Sequence, residues 1–292
     1  MARTKEDRIN RVWGGRGHVV LLGSGASRAS TDLRPERSGK KLPIMADFID
    51  MVGLRDIVDS LSPDIRDDNF EKLYSKLHRA NPASAEILEI ERRVYDYFKD
   101  MKLPDEPTIY DYLVLSLRPR DLIATFNWDP FLYQAYCRNV EFTKDLPRFS
   151  FLHGNVAIGF SEVDKRTGPA DGIHKKTGSW YEPTRLLYPV DKKDYNANEL
   201  LRIEWERVKY WLSKEESRQL TIFGYSAPET DVEAVELMSQ ARGTPEERNM
   251  EQVEIIDIDS EKEVVKRWKR FIHTHHYDYR NCRLPQSSPI HK

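Results

Sequence analysis

A doubly wound, mostly parallel α/β sheet is the expected architecture of this chain, and three patterns lead to it. Five short apolar runs, rich in branched and aromatic residues, are spread over the 292 residues. Stretches with helical periodicity separate them. Small and polar residues (Gly, Ser, Asn, Asp) gather just past the end of each run. Brief continuous apolar runs suit strands buried on both faces of a parallel sheet, and strands alternating with helices build an α/β sheet.

The first strand candidate is His18–Leu22, which runs into Gly23-Ser24-Gly25-Ala26-Ser27. Residues from about 30 to 105 read as a helical insertion. Met45, Phe48, Ile49 and Val52 predict a helix over Leu42–Ser60, and Ile87, Ile90, Val94, Tyr97 and Phe98 predict another over Ala83–Met101. The second strand is Asp121–Thr125 and the third Phe149–Leu152. Residues from about 155 to 197, rich in Gly, Pro, Lys and Asp, form a loop-rich insertion, either a long loop or a small subdomain. Such segments often lie over a ligand crevice. Leu201, Trp205, Val208 and Leu212 predict a helix over Asn198–Lys214. The strand Leu220–Phe223, a helix over Val232–Ala241, the strand Val253–Ile258 and a helix over Glu261–Ile272 follow. One domain over residues 1–280 and a polar tail over 281–292 account for the chain.

Composition removes several function classes. Lys and Arg total 46 against 48 Asp and Glu, a net charge of −2. A mainly nucleic-acid-binding chain would carry a basic excess, so nucleic acid is expected at most through a partner. Hydrophobic residues at 39% support a sizeable core rather than disorder. No run reaches the roughly 18 apolar residues of a membrane span, and the start lacks the apolar stretch of a signal peptide. Only Cys137 and Cys282 are present. A disulfide framework and a four-cysteine zinc site are thereby excluded, and a cytoplasmic location is expected. His273, His275 and His276, with Cys282 beyond, read as a solvated helix end rather than a metal site.

Candidate functional residues share one place, the C-terminal ends of the strands, where open α/β sheets bind ligands. The Gly23–Ser27 stretch lets backbone approach a phosphate closely, but it matches neither the dinucleotide fingerprint (position 28 is Arg28) nor a Walker loop; a plain turn is the alternative. Asn127 and Asp129 follow the second strand, a carboxamide and a carboxylate suited to a ligand bearing hydroxyls and an amide. Asp129 before Pro130 is also a good helix cap. Trp128, between them, either shapes the pocket or packs beneath it. His153 precedes Gly154 at the end of the third strand, placed for a base near neutral pH. Gly224 and Ser226 follow the fourth strand and suit a phosphate or ribose, with Thr230 or Asp231 expected to cap the next helix. Asp257 and Asp259 end the fifth strand, where an acidic residue commonly meets ribose hydroxyls.

Taken in order, Gly-Ser-Gly-Ala-Ser, Thr-Phe-Asn-Trp-Asp, Leu-His-Gly, Gly-Tyr-Ser and Ile-Asp-Ile-Asp resemble the motifs of the sirtuin superfamily over about residues 16–272. The resemblance implies a Rossmann-like sheet that binds NAD as a substrate and breaks its nicotinamide–ribose bond. It implies that Gly23, Ser24, Gly25, Ala26 and Ser27 hold the diphosphate. Asn127 would meet the nicotinamide ribose, Asp129 would face the nicotinamide carboxamide, and His153 would be the base. Gly224 and Ser226 would line the ADP portion, and Asp257 or Asp259 would take the adenosine ribose. The chain departs from protein deacylases in lacking the four-cysteine zinc module and the Gly-Ile-Pro-Asp-Phe-Arg type stretch, so no zinc is expected. These departures resemble the zinc-free NAD-cleaving effectors of bacterial antiphage systems. A homo-oligomer and a separate sensor or assembly partner, such as a HerA-type ATPase, are then implied. The alternatives are ADP-ribosyl transfer or deacylation, and a non-catalytic NAD- or ADP-ribose-binding subunit. Asn127, Asp129 and His153 are expected to converge on one crevice beside the Gly23–Ser27 bend.

Overall fold

The computed structural model describes residues 16–31, 42–43, 45, 47–190, 195, 198–213, 215–226, 231–244, 252–258, 263–269 and 276–281. Six parallel strands form the main sheet: β1 (Gly17–Leu22), β2 (Leu122–Thr125), β3 (Arg148–Phe151), β7 (Ser217–Phe223), β8 (Gln252–Asp257) and β9 (His276–Asn281). Their spatial order is β3-β2-β1-β7-β8-β9, the doubly wound Rossmann-like order, and every adjacent pair is parallel. The chain winds outward from β1 in one direction and, after β3, in the other. The winding therefore reverses between β1 and β7, and a crevice opens there at the strand ends.

Two apolar clusters cover the two faces of the sheet. Val20 and Leu22 of β1 join Ile123 and the helical insertion, while Val19 and Leu21 join the opposite cluster. That alternation follows from the pleat, which sends successive side chains to opposite faces. The helices of the first face are α1 (Ser24–Thr31), α2 (Phe48–Val52), α3 (Arg55–Ser60), α4 (Phe70–Ala80), α5 (Ala85–Lys99), α6 (Ile109–Ser116) and α7 (Phe131–Asn139). On the second face, α8 (Glu199–Leu212) contributes Trp205, Val208 and Leu212, and α9 (Val232–Arg242) and α10 (Glu263–Trp268) complete the layer.

The helix expected over Leu42–Ser60 is two helices. Leu54 donates back to Ile49 O at 2.8 Å and closes α2 in a Schellman-type turn before α3 begins. The insertion over 155–197 is a small subdomain rather than an open loop. It holds a three-stranded antiparallel sheet, β5-β4-β6, from β4 (Ile158–Ser161), β5 (Arg166–Pro169) and β6 (Glu182–Pro183).

The sixth strand, β9, corrects the helix-end reading of His276. Its pattern alternates, with Tyr277 and Tyr279 packed against the second cluster and Asp278 and Arg280 at the alternate positions. Arg280 pairs with Glu254 of β8 at 2.7 Å. Edge strands carry charge of this kind and so lack an apolar run. His273, His275 and Cys282 lie outside the described residues, as do Arg34, Arg37, Lys40 and Lys41, the basic patch after the glycine turn that the sequence offers as a solvated loop or as a contact to a diphosphate or a partner. No helix among the described residues is long and apolar enough to cross a membrane.

Candidate active site

The strand ends at the switch point are sewn together by main-chain bonds. Gly23 N donates to Phe223 O (3.0 Å), Gly25 N to Gly224 O (3.0 Å), and Gly224 N to Ile256 O (2.9 Å). The contact is too close for side chains. A Cβ on Gly23 would sit 2.4 Å from Gly224 O, and one on Gly224, whose φ is +62°, would sit 2.4 Å from Ala26 N.

This packing changes the reading of Gly23–Ser27. The stretch is no free loop, because α1 starts at Ser24. Gly23 and Ser24 line the cleft. The Gly25 N–H is already bonded to Gly224, Ala26 is buried in the first-face cluster, and Ser27 turns its hydroxyl to Tyr110 OH at 2.7 Å.

Asn127 is a strut as well as a candidate ligand contact. Its Nδ2 donates to Gly23 O (2.8 Å) and Ser27 Oγ (2.8 Å), with Tyr110 OH at 3.3 Å. A carbonyl acceptor fixes which end of the amide is the nitrogen. Oδ1 takes no hydrogen bond among the described residues and is the atom left for a ligand. Two further residues hold this arrangement. Asn155, fully buried, donates from Nδ2 to Asn127 O (3.1 Å) and Asp129 O (2.6 Å). Tyr110 is held by α6, whose Asp111 binds Thr108 at the helix start and takes a two-pronged bond from Arg138 of α7.

Asp129 is 3% exposed and accepts from Phe131 N at 3.2 Å, so part of its role is to satisfy the start of α7. Burial pushes its carboxyl up to about 6, against the opposing pull of the Ser27 hydroxyl and the Phe131 amide. The sign of the pH effect follows. An unfolded Asp ionises near 3.8, well below the folded group. The folded state thus holds its proton longer, and this site's contribution to stability falls as pH rises from about 4 to about 6, by up to roughly 3 kcal/mol at about 1.4 kcal/mol per pKa unit. Asp129→Asn is therefore expected to raise Tm relative to wild type at pH 8 and to lose that advantage by pH 4. Scanning calorimetry of both proteins across this range checks it, and a pH-independent difference would count against it.

His153 follows β3 and is 6% exposed. Its ring meets Phe126 edge-on (5.0 Å, 73°), and Phe126 in turn stacks flat on Tyr225 (4.0 Å, 8°). Nε2 lies 3.7 Å from Asp231 Oδ1. Gly154 follows because Arg185 O occupies the space where a Cβ would stand, at 2.3 Å. Leu187 N then donates to His153 O (2.8 Å), so the second insertion is tied directly to the histidine.

Asn127, Asp129 and His153 line one cleft of about 290 Å³ with Gly23, Ser24, Gly224 and Ser226. The floor comes from the strand ends and sets polar groups beside Phe126 and Tyr225. Much of the wall is apolar and comes from the insertions, through Phe48, Phe70, Phe98, Leu187 and Pro189. Trp128 also lines it, packed on Tyr188 (5.0 Å) and edge-on to Phe98 (5.9 Å). Among the described residues of this lining, Glu71, Asp129 and Asp231 carry carboxyl groups. Asp257 is half-buried at the end of β8, in register with Asn281, and does not line the cleft. Asp259 and Thr230 lie outside the described residues.

Tyr110, Asn155 and Asp231 complete the site beyond the expected set. Thr108 with Asp111 three residues on is a helix-start signal that could have placed Tyr110. Asn155 directly follows the His-Gly step. Asp231 was expected to cap α9; it occupies the cap position, but its side chain makes no cap hydrogen bond. Among the described residues no group of three or more His, Cys, Asp or Glu is arranged to hold a metal ion.

No protein-family model matches the chain, and no curated protein matches it. Solved structures do. A Sir2 homologue in complex with NAD matches at 14% identity and a TM-score of 0.43, over 96% of this chain and 89% of that one. A mutant Sir2 homologue bound to ADP-ribose matches at 12% identity and 0.41, over 88% and 86%. Sir2 in complex with an inhibitor, 2'-O-acetyl-ADP-ribose and a deacetylated p53 peptide matches at 12% identity and 0.43, over 91% and 88%. Likeness at this level assigns no chemistry, which has to come from the chain's own residues.

Proposed function

We propose that the chain hydrolyses NAD at the nicotinamide–ribose bond. The observation that supports this is the meeting of three strand ends in one cleft: the glycine turn after β1, Asn127 and Asp129 after β2, and His153 after β3. The charge of the lining agrees. NAD carries its positive charge on the nicotinamide ring, and bond cleavage moves that charge to the ribose. The carboxyl groups of the lining, at Glu71, Asp129 and Asp231, favour both forms. Gly23 and Ser24 line the cleft at the start of α1, where the positive helix end favours an anionic diphosphate.

The balanced reaction is NAD⁺ plus water giving nicotinamide, ADP-ribose and a proton. The C1'–N bond breaks and its electron pair leaves with nicotinamide, which departs neutral and needs no acid. Water oxygen bonds to C1', and its proton passes to His153 and then to solvent. Asn127 Oδ1 accepts from a ribose hydroxyl, and Asp129 faces the carboxamide. Holding the reactants in place supplies about 7–11 kcal/mol when alignment is complete. In the same proposal, drawn from the sequence resemblance, the chain is the NAD-depleting effector of an antiphage system, homo-oligomeric and triggered by a separate sensor or assembly partner.

The test mixes purified protein with NAD, alone and with the product of the adjacent gene, and separates the products by chromatography. Nicotinamide and free ADP-ribose are expected. ADP-ribose attached to protein, or NAD bound without turnover in both mixtures, would overturn the hydrolytic reading.

A further inference from the structure

We propose that Asp231 is the positioning residue of His153: it orients the imidazole and stabilises the ring's protonated form. The inference rests on the reading of His153 as the base.

Asp231 stands at the cap position before α9 but turns its carboxylate to Tyr225 instead of capping the helix. Oδ2 accepts from Tyr225 OH at 2.8 Å, and Oδ1 stands 3.7 Å from His153 Nε2. The two side chains are 5% and 8% exposed. Tyr225 is itself fixed, stacked on Phe126 and with its carbonyl accepting from Trp268 Nε1 at 3.0 Å. A buried carboxylate is costly unless charge or hydrogen bonds offset it. An imidazole that gains a proton during turnover provides that compensation at the moment it is needed. When water loses its proton to the ring, the imidazolium forms beside a carboxylate already in place; Asp231 itself exchanges no proton, and no bond to it forms or breaks. A carboxylate behind a histidine base also selects which nitrogen carries the hydrogen.

Among the described residues, the groups facing this pair are Tyr225 after β7, Tyr195 stacked at 6.3 Å from His153, and Asp129 and Glu71 of the same cleft. The comparison of wild type with Asp231→Asn isolates the carboxylate's own effect on the ring. The test follows the His153 ring by NMR across pH in intact protein, a readout that needs no activity. Asp231→Asn is expected to lower the His153 pKa by about 1–2 units, the usual effect of losing an opposite charge at this range. Tyr225→Phe is expected to move it the other way, because the carboxylate loses a donor that disperses its charge. A merely structural Asp231 would not produce shifts of opposite sign. In NAD cleavage, Asp231→Asn should lower kcat by about 100-fold or more with KM little changed. An unshifted His153 titration in folded Asp231→Asn overturns the pairing. Should Asp231→Asn not fold, absence of the Tyr225→Phe shift overturns it. Opposite shifts in a wild-type protein that leaves NAD intact support the pairing and refute hydrolysis alone.

Discussion

His153→Ala is expected to slow NAD cleavage by about 10²–10⁴-fold, the usual contribution of a positioned base. The loss should fall on kcat, because a group that takes a proton only in the transition state leaves substrate binding nearly unchanged. Stability should suffer little by comparison. The ring borders the cleft as well as Phe126, so water can enter the space it leaves, and the sheet bonds of β3 do not involve the side chain. A Tm within a few degrees of wild type is expected. Single-turnover product analysis and calorimetry together check the prediction. A folded variant with wild-type turnover would remove His153 from the chemistry.

The second large effect is expected at Gly224. Gly224→Ala places a methyl group 2.4 Å from Ala26 N and 2.6 Å from Gly25 C, and both are main-chain atoms that no rotamer change can move. The backbone there has a φ of +62°, which costs an L-residue about 1–2 kcal/mol in addition. Relief requires β7 to part from the start of α1, which displaces Gly23 and Ser24 from the cleft. Tm is expected to drop by several degrees and NAD affinity by at least tenfold. Calorimetry and titration of NAD binding measure the two. A variant matching wild type in both would show that this junction does not shape the site.

The sheet was legible where its strands hold an unbroken apolar stretch, as in Val19–Leu22 and Leu122–Ala124, because burial on both faces leaves a continuous hydrophobic run. It was illegible at β9, whose Asp278 and Arg280 serve an edge strand. The break at Gly53 was hidden because apolar spacing continues across it. Within the site, the residues that end strands stood out by type: Asn127, Asp129 and His153 are polar groups beside buried runs. Their supports did not. Tyr110 and Asn155 act through contacts made at |i−j| separations of 17 to 83 residues, which local pattern does not encode. Asp231 read as a helix cap because sequence gives its position but not the direction of its carboxylate.

The division between a floor built from the sheet and walls built from two insertions carries a consequence for how such a scaffold diversifies. Reactive groups anchored to strand termini inherit the rigidity of the whole sheet. Phe48, Phe70 and Phe98 of the wall belong to helices that the sheet's own ladder does not need. Exchange of the helical enclosure is thereby expected to change which substrates fit while the strand-end groups keep their supports, whereas the second insertion, bonded to His153 and carrying Asn155, is part of the floor's own scaffold.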